Sequence, residues 1–164
     1  MLLCTGFLHK SIYKMKQIAL NIIETAFEGK KDKGGKPYIE HLKRVSENAK
    51  NYFKGEDYCE QLEVIGLLHD LVEDCPEWTK KHLESIFKDA LIVDAVDRLI
   101  KRPELDYDQY IKNIQNNRYA RAVKLADLKD NMDLTRLSEL SEKDIERLKK
   151  YHKSYVYLLG DGRF

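Results

Sequence analysis

Apolar residues recur every three or four positions along most of this 164-residue chain, and no stretch alternates as a strand would. In "MKQIALNIIETAFEG", residues 15–29, Ile18, Ala19, Ile22, Ile23 and Ala26 form one stripe and predict a first helix. The lysine-rich "GKKDKGGKPY" interrupts it, and Gly34, Gly35 and Pro37 predict a loop. Further helices are expected over 38–54 and 57–73. Pro76 then marks a turn, with Thr79 a natural N-cap before "KKHLESIF". "DALIVDAVDRLIK", ended by Pro103, and "LDYDQYIKNIQ" predict two more. Residues 118–135 and 141–159 complete the set, with Gly160 as a stop signal.

No repeat, low-complexity tract or linker divides the pattern. The expected fold is all-α, a single compact bundle of about eight helices. Residues 15–160 form the expected domain and residues 1–14 an N-terminal extension, since Met15 would also make a natural start.

Charge changes the picture at one place. "LLHDLVEDCP", residues 67–76, sets His69, Asp70, Glu73 and Asp74 among Leu67, Leu68, Leu71 and Val72. Buried charges are costly unless they are paired or bind a metal. On one continuous helix, residues three and four apart share a face, which would put His69 beside Glu73 and Asp70 beside Glu73 and Asp74. Intrahelical ion pairs would account for such a face, and so would a divalent ion. Two further apolar helices carry a candidate ligand each: His41 among Ile39, Leu42 and Val45, and Asp127 among Leu125, Ala126 and Met132. Imidazole and carboxylate together suit a borderline or hard divalent cation.

The order His41, His69-Asp70, Asp127 resembles the HD superfamily of metal-dependent phosphohydrolases. "DKGGKPYIEH", "GLLHDLVED" and "VKLADLKDNMD" resemble more closely the hydrolase domain of the RelA/SpoT-homologue family, which removes the 3′-pyrophosphate of ppGpp. The resemblance spans residues 18–158. It implies that His41, His69, Asp70 and Asp127 hold a divalent ion, usually manganese. It implies that Glu73 and Asp74 orient or activate the attacking water. Asn131 would lie close to the bound nucleotide, and Lys33 and Tyr38 would hold its base and ribose side. The chain ends soon after Asn131, so the resemblance is to a stand-alone hydrolase.

The departures fall on the substrate side. Phe27 stands where many relatives have histidine, and Asp32 replaces an arginine that packs near guanine in the long enzymes. The family's "RLHNM" is here "LKDNM", residues 128–132. An HD-type phosphatase on another nucleotide or small phosphoester, and a non-catalytic nucleotide-sensing or partner-binding protein, remain alternatives. Lys30, Lys31, Lys33 and Lys36 flank the loop glycines and suit an anionic ligand. Tyr110 and Arg121 are candidates for framing the pocket; Arg102 reads as surface packing.

Composition excludes several other roles. A net charge of +1 with 35% charged residues provides no basic face for nucleic acid. No apolar run approaches the roughly 20 residues needed to cross a bilayer, and the opening "MLLCTGFLHK" lacks the charged start of a signal peptide. Cys4, Cys59 and Cys75 are odd in number and widely spaced, which fits a reducing cytoplasm. His9, His82 and His152 fall outside the motifs and are expected not to be ligands.

Overall fold

The computed structural model describes residues 3–53 and 59–160. Its α-helices are α1 (Leu3–Ala26), α2 (Tyr38–Ala49), α3 (Cys59–Leu68), α4 (Leu71–Asp74), α5 (Lys80–Phe87), α6 (Ala90–Leu99), α7 (Tyr107–Gln115), α8 (Arg118–Asn131) and α9 (Glu142–Leu159). Short 3-10 turns follow α2 (Lys50–Tyr52) and α8 (Leu134–Arg136). No strand occurs among the described residues, so the all-α expectation is met.

Side-chain caps start most of these helices, satisfying backbone N–H groups that have no intrahelical acceptor. Thr79, Asp106 and Ser141 form capping boxes at α5, α7 and α9, and Asp89 and Asn117 cap α6 and α8. Gly160 ends α9 at φ 95°, where a Cβ would be strained. The first helix begins at Leu3, well before residue 15, where its stripe was expected to start.

α3 lies at the centre and packs on α1, α2, α6 and α8. Leu62, Val64, Ile65, Leu67 and Leu68 are all buried, so apolar residues cover most of α3, as suits a helix enclosed by others. α2 crosses it at Gly66, where an added Cβ would lie 2.5 Å from Ser46 Cα. The Ser46 hydroxyl donates to the Glu63 carbonyl at the same crossing, at 2.8 Å.

The continuous helix expected over 57–73 is instead broken at His69 and Asp70. Asp70 has φ −101° and ψ −2°, a turn conformation, and serves as the N-cap residue of the one-turn α4. Apolar spacing carries through the break because Leu67, Leu68 and Leu71 are all buried on either side of it. The side chains at 69 and 70 nonetheless leave the regular helical face assumed from periodicity.

Candidate metal centre

The break aims both side chains at α2 and α8. His41, on the buried face of α2, meets His69 edge-on, with ring centroids 5.4 Å apart. Donor atoms of His41, His69 and Asp70 lie within 4.8 Å of one another. Asp127 of α8 closes the group: its Oδ1 is 3.4 Å from His41 Nε2 and 3.7 Å from His69 Nε2. Four side chains drawn from α2, the α3–α4 break and α8 thus converge, although His41 and Asp127 stand far apart in the sequence.

The hydrogen bonds on the far sides of the rings determine which nitrogens face inward. His69 Nδ1 lies 2.8 Å from the Gly66 carbonyl, which can only accept, so Nδ1 carries the proton. His41 Nδ1 lies 2.7 Å from Asp130 Oδ2 and donates likewise. Both Nε2 atoms are therefore turned to the centre, each able to offer a lone pair there once its ring is neutral. His69 Nε2 is buried without a hydrogen-bond partner, its 3.0 Å approach to Asp70 Oδ2 being a contact of charges. An orphaned buried nitrogen among two carboxylates and a second imidazole fits a divalent cation of the borderline or hard class.

The carboxylates are oriented just as firmly. Tyr38 donates its hydroxyl to Asp70 Oδ2 at 2.6 Å. Asp127 accepts from Lys124 Nζ at 2.7 Å and from the Asn131 amide at 2.6 Å. Outer partners of this kind set ligand orientation and basicity in metal sites. Burial opposes charge on His69, but Asp70 and Asp127 outweigh it and raise its pKa to about 10. Burial would raise Asp70, yet the neighbouring His69 charge brings it down to about 2.

This centre forms one end of a cavity of about 510 Å³, within the usual range of roughly 300–1,000 Å³ for small-molecule sites. Glu73 and Asp74 line it as well, each already engaged: Glu73 Oε2 accepts from the Lys101 N–H at 3.0 Å, and Asp74 pairs with Lys30 at 2.8 Å. Lys33, Tyr38 and Asn131 also line it. Tyr38 and Asn131 turn their polar groups on Asp70 and Asp127. The Tyr38 ring stacks on Phe27 at 5.2 Å, with Lys30 Nζ 4.4 Å above it.

Sequence reading missed another part of the lining. Lys101, Arg147, Lys150 and Tyr151 face the cavity from the α6–α7 connection and from α9. Burial and the nearby charges of Lys101, Lys124 and Arg147 lower the Lys150 pKa. Burial, then Arg147, lower that of Lys33. Arg147 is paired with Asp144 of the same lining, and the ammonium groups of Lys33, Lys101 and Lys150 beside it suit an anionic occupant. Only their spacing along α9 hinted at it, since Arg147, Lys150 and Tyr151 lie three and four apart.

Other candidates fall elsewhere. Tyr110 lines the cavity, its hydroxyl donating to the Leu99 carbonyl at 2.7 Å. Arg102 pairs with Asp97 outside it, as surface packing required. Arg121 bonds the Leu158 carbonyl at 2.5 Å and takes no part in the cavity. His82 belongs to the α5 cap, His152 is exposed on α9, and the side chain of His9 lies outside the described residues. Cys75 is a buried free thiol beside the Ala26 carbonyl.

No protein-family profile and no characterised protein matches the sequence. Among solved structures the chain is similar to a metazoan ortholog of SpoT, a protein described as hydrolysing ppGpp with a role in starvation responses. The TM-score is 0.69 at 21% identity, covering 92% of this chain and 86% of that one. The two share an all-helical fold, the one that the resemblance to the HD-type ppGpp hydrolases implied.

Proposed function

We propose that this chain is a divalent-metal-dependent phosphohydrolase acting on a nucleotide, with ppGpp as its substrate and GDP and pyrophosphate as products. The observation that carries this reading is the convergence of His41, Asp70 and Asp127 on the unpartnered His69 Nε2, at the end of a cavity that Lys33, Lys101, Arg147 and Lys150 also line. The similarity in fold to a ppGpp hydrolase supports the choice of substrate.

His41, His69, Asp70 and Asp127 would hold the ion, manganese in this reading. When bound there, such an ion acidifies water and neutralises charge on phosphoryl oxygens. Glu73 is the general base: its carboxylate takes a proton from the attacking water. The water oxygen bonds to the phosphorus of the 3′-pyrophosphate nearest the ribose, the bond from that phosphorus to O3′ breaks, and O3′ leaves, taking up the proton that Glu73 accepted. Asp74, held by Lys30, orients the water. Lys101, Arg147 and Lys150 bind the phosphates of the substrate, and Lys33 and Tyr38 lie on its base and ribose side. Asn131 acts through Asp127 and Tyr38 through Asp70. The catalytic unit is residues 15–160, residues 3–14 extending α1.

The free Cys75 fits a cytoplasmic setting, and no helix among the described residues is long and apolar enough to cross a membrane. Hydrolysis of another nucleotide phosphoester is the second reading. It is favoured by Asp32, whose carboxylate is consumed by Arg136 and by the loop backbone.

The test is a turnover screen of the purified protein with Mn²⁺ against ppGpp, pppGpp, NADPH and nucleoside phosphates, with Asp70→Ala as blank. Pyrophosphate released from ppGpp by the wild type alone is the expected result. Turnover of a different phosphoester moves the substrate, and metal binding without turnover makes the protein a sensor.

A further inference from the structure

We propose that Asp130 is a positioning residue for the metal centre, and that through Arg44 and Arg136 it couples His41 to the loop bearing Lys33. The inference rests on the metal-centre reading above and assigns work to residues outside the four ligands.

Asp130 is a hub. Its Oδ2 accepts from His41 Nδ1 at 2.7 Å and from Arg44 at 3.1 Å, while Oδ1 accepts from Arg44 Nε at 2.7 Å. The two-point arginine contact orients the carboxylate plane, and that plane orients the imidazole. Arg136 then ties the hub to the loop. One terminal nitrogen donates to the Asp130 carbonyl at 2.8 Å; the other donates to Asp32 Oδ2 at 3.0 Å and stands 3.4 Å from Asp130 Oδ2.

Asp32 in turn organises the loop. Its Oδ1 accepts from the Gly34 and Lys36 N–H groups at 2.9 and 3.0 Å, closing the turn that carries Lys33. Gly34 lies so close to the 3-10 turn that a Cβ there would come 2.6 Å from the Arg136 carbonyl. The loop is therefore clamped onto the segment after α8 and cannot shift without disturbing Asp130.

An ordinary surface ion-pair network would look different. The Asp130 side chain is 10% exposed and that of Asp32 7%. Arg136 lines the cavity, yet both its terminal nitrogens are spent on the protein. It is a clasp between two parts of the chain. The ligand end and the loop end of the site thus share one set of charges, so a change in the Asp130–Arg136–Asp32 clasp is felt at both.

The experiment measures Mn²⁺ affinity by calorimetric titration in the wild type, Asp130→Ala, Asp130→Asn, Arg136→Gln and Lys33→Ala, with thermal melting to verify folding. Loss of an outer partner should weaken Asp130→Ala by roughly tenfold to a hundredfold. Asp130→Asn, which keeps an acceptor for His41 but loses the charge, should fall between it and the wild type. Arg136→Gln touches none of the four ligands and should still bind Mn²⁺ more weakly, whereas Lys33→Ala should keep wild-type affinity and raise only the KM for nucleotide. Wild-type affinity in a folded Asp130→Asn protein overturns the positioning role. Wild-type affinity in Arg136→Gln overturns the coupling. A wild type that binds no Mn²⁺ sinks the metal-centre reading itself, a result distinct from both.

Discussion

The Tyr38 hydroxyl donates to Asp70 Oδ2 at 2.6 Å, tying the first residue of α2 to the turn that breaks α3 from α4. The bond aligns a carboxylate of the proposed metal centre from outside the four proposed ligands. Tyr38→Phe keeps the stack on Phe27 and removes only this donor. Mn²⁺ affinity should fall by about tenfold, at the lower end of the effect of outer-partner loss. Titration calorimetry of the folded variant checks it; unchanged affinity would leave the hydroxyl without this role.

Asp70 and Glu73 should separate binding from chemistry. Asp70→Ala is expected to lose both Mn²⁺ and turnover. Glu73→Ala, whose carboxylate meets the Lys101 N–H rather than the centre, should lose turnover while keeping most of its metal. Parallel titrations and pyrophosphate-release assays decide this, and full activity in Asp70→Ala would refute the site.

Protonation of His69 should show in the metal-free protein. Its folded pKa of about 10 lies above the ordinary histidine value, which is about 6.5. The stabilisation from its charge is therefore complete below the ordinary value and is lost as pH rises through about 10. Metal binding needs the neutral ring, so Mn²⁺ affinity should climb over the same interval. Melting curves and titrations across this range test both slopes, and His69→Gln should flatten them.

The crossing of α2 and α3 tolerates no side chain at 66. In Gly66→Ala the new Cβ would meet Ser46 Cα at 2.5 Å and Ser46 N at 2.9 Å, and backbone cannot yield as a flexible side chain does. Overpacking of this kind costs about 1–3 kcal/mol, or roughly 2–4 °C of Tm per kcal/mol at this size. The Gly66 carbonyl also orients His69, so metal affinity should drop with Tm. A melt as high as the wild type's would count against the close crossing.

Removing one cation from the cavity lining should weaken substrate binding more than chemistry. Lys150→Ala is expected to raise the KM for ppGpp by about tenfold or more, as loss of a charged hydrogen bond would, with a smaller change in kcat. Added salt should raise the wild-type KM in the same direction. Steady-state kinetics at two ionic strengths measure both; a variant changed only in kcat would place Lys150 elsewhere.

The apolar spacing along the chain was enough to read its helices, because burial of one face imposes a period that a single sequence displays. Thr79 as a cap, Gly160 as a stop and the apolar settings of His41 and Asp127 were legible for the same local reason. The break at His69 and Asp70 was not, since the apolar period runs through it unchanged and only the backbone angles reveal the turn. Nor were Asp130, Arg136, Lys101 and Lys150 legible as neighbours of a common site. Their side chains meet partners brought near by helix crossings, and contacts between residues as distant as His41 and Asp130 leave no periodic trace in either segment. The sequence by itself determined which residues are buried and which chemistry was at hand; how the helices cross decided which groups face the same cavity.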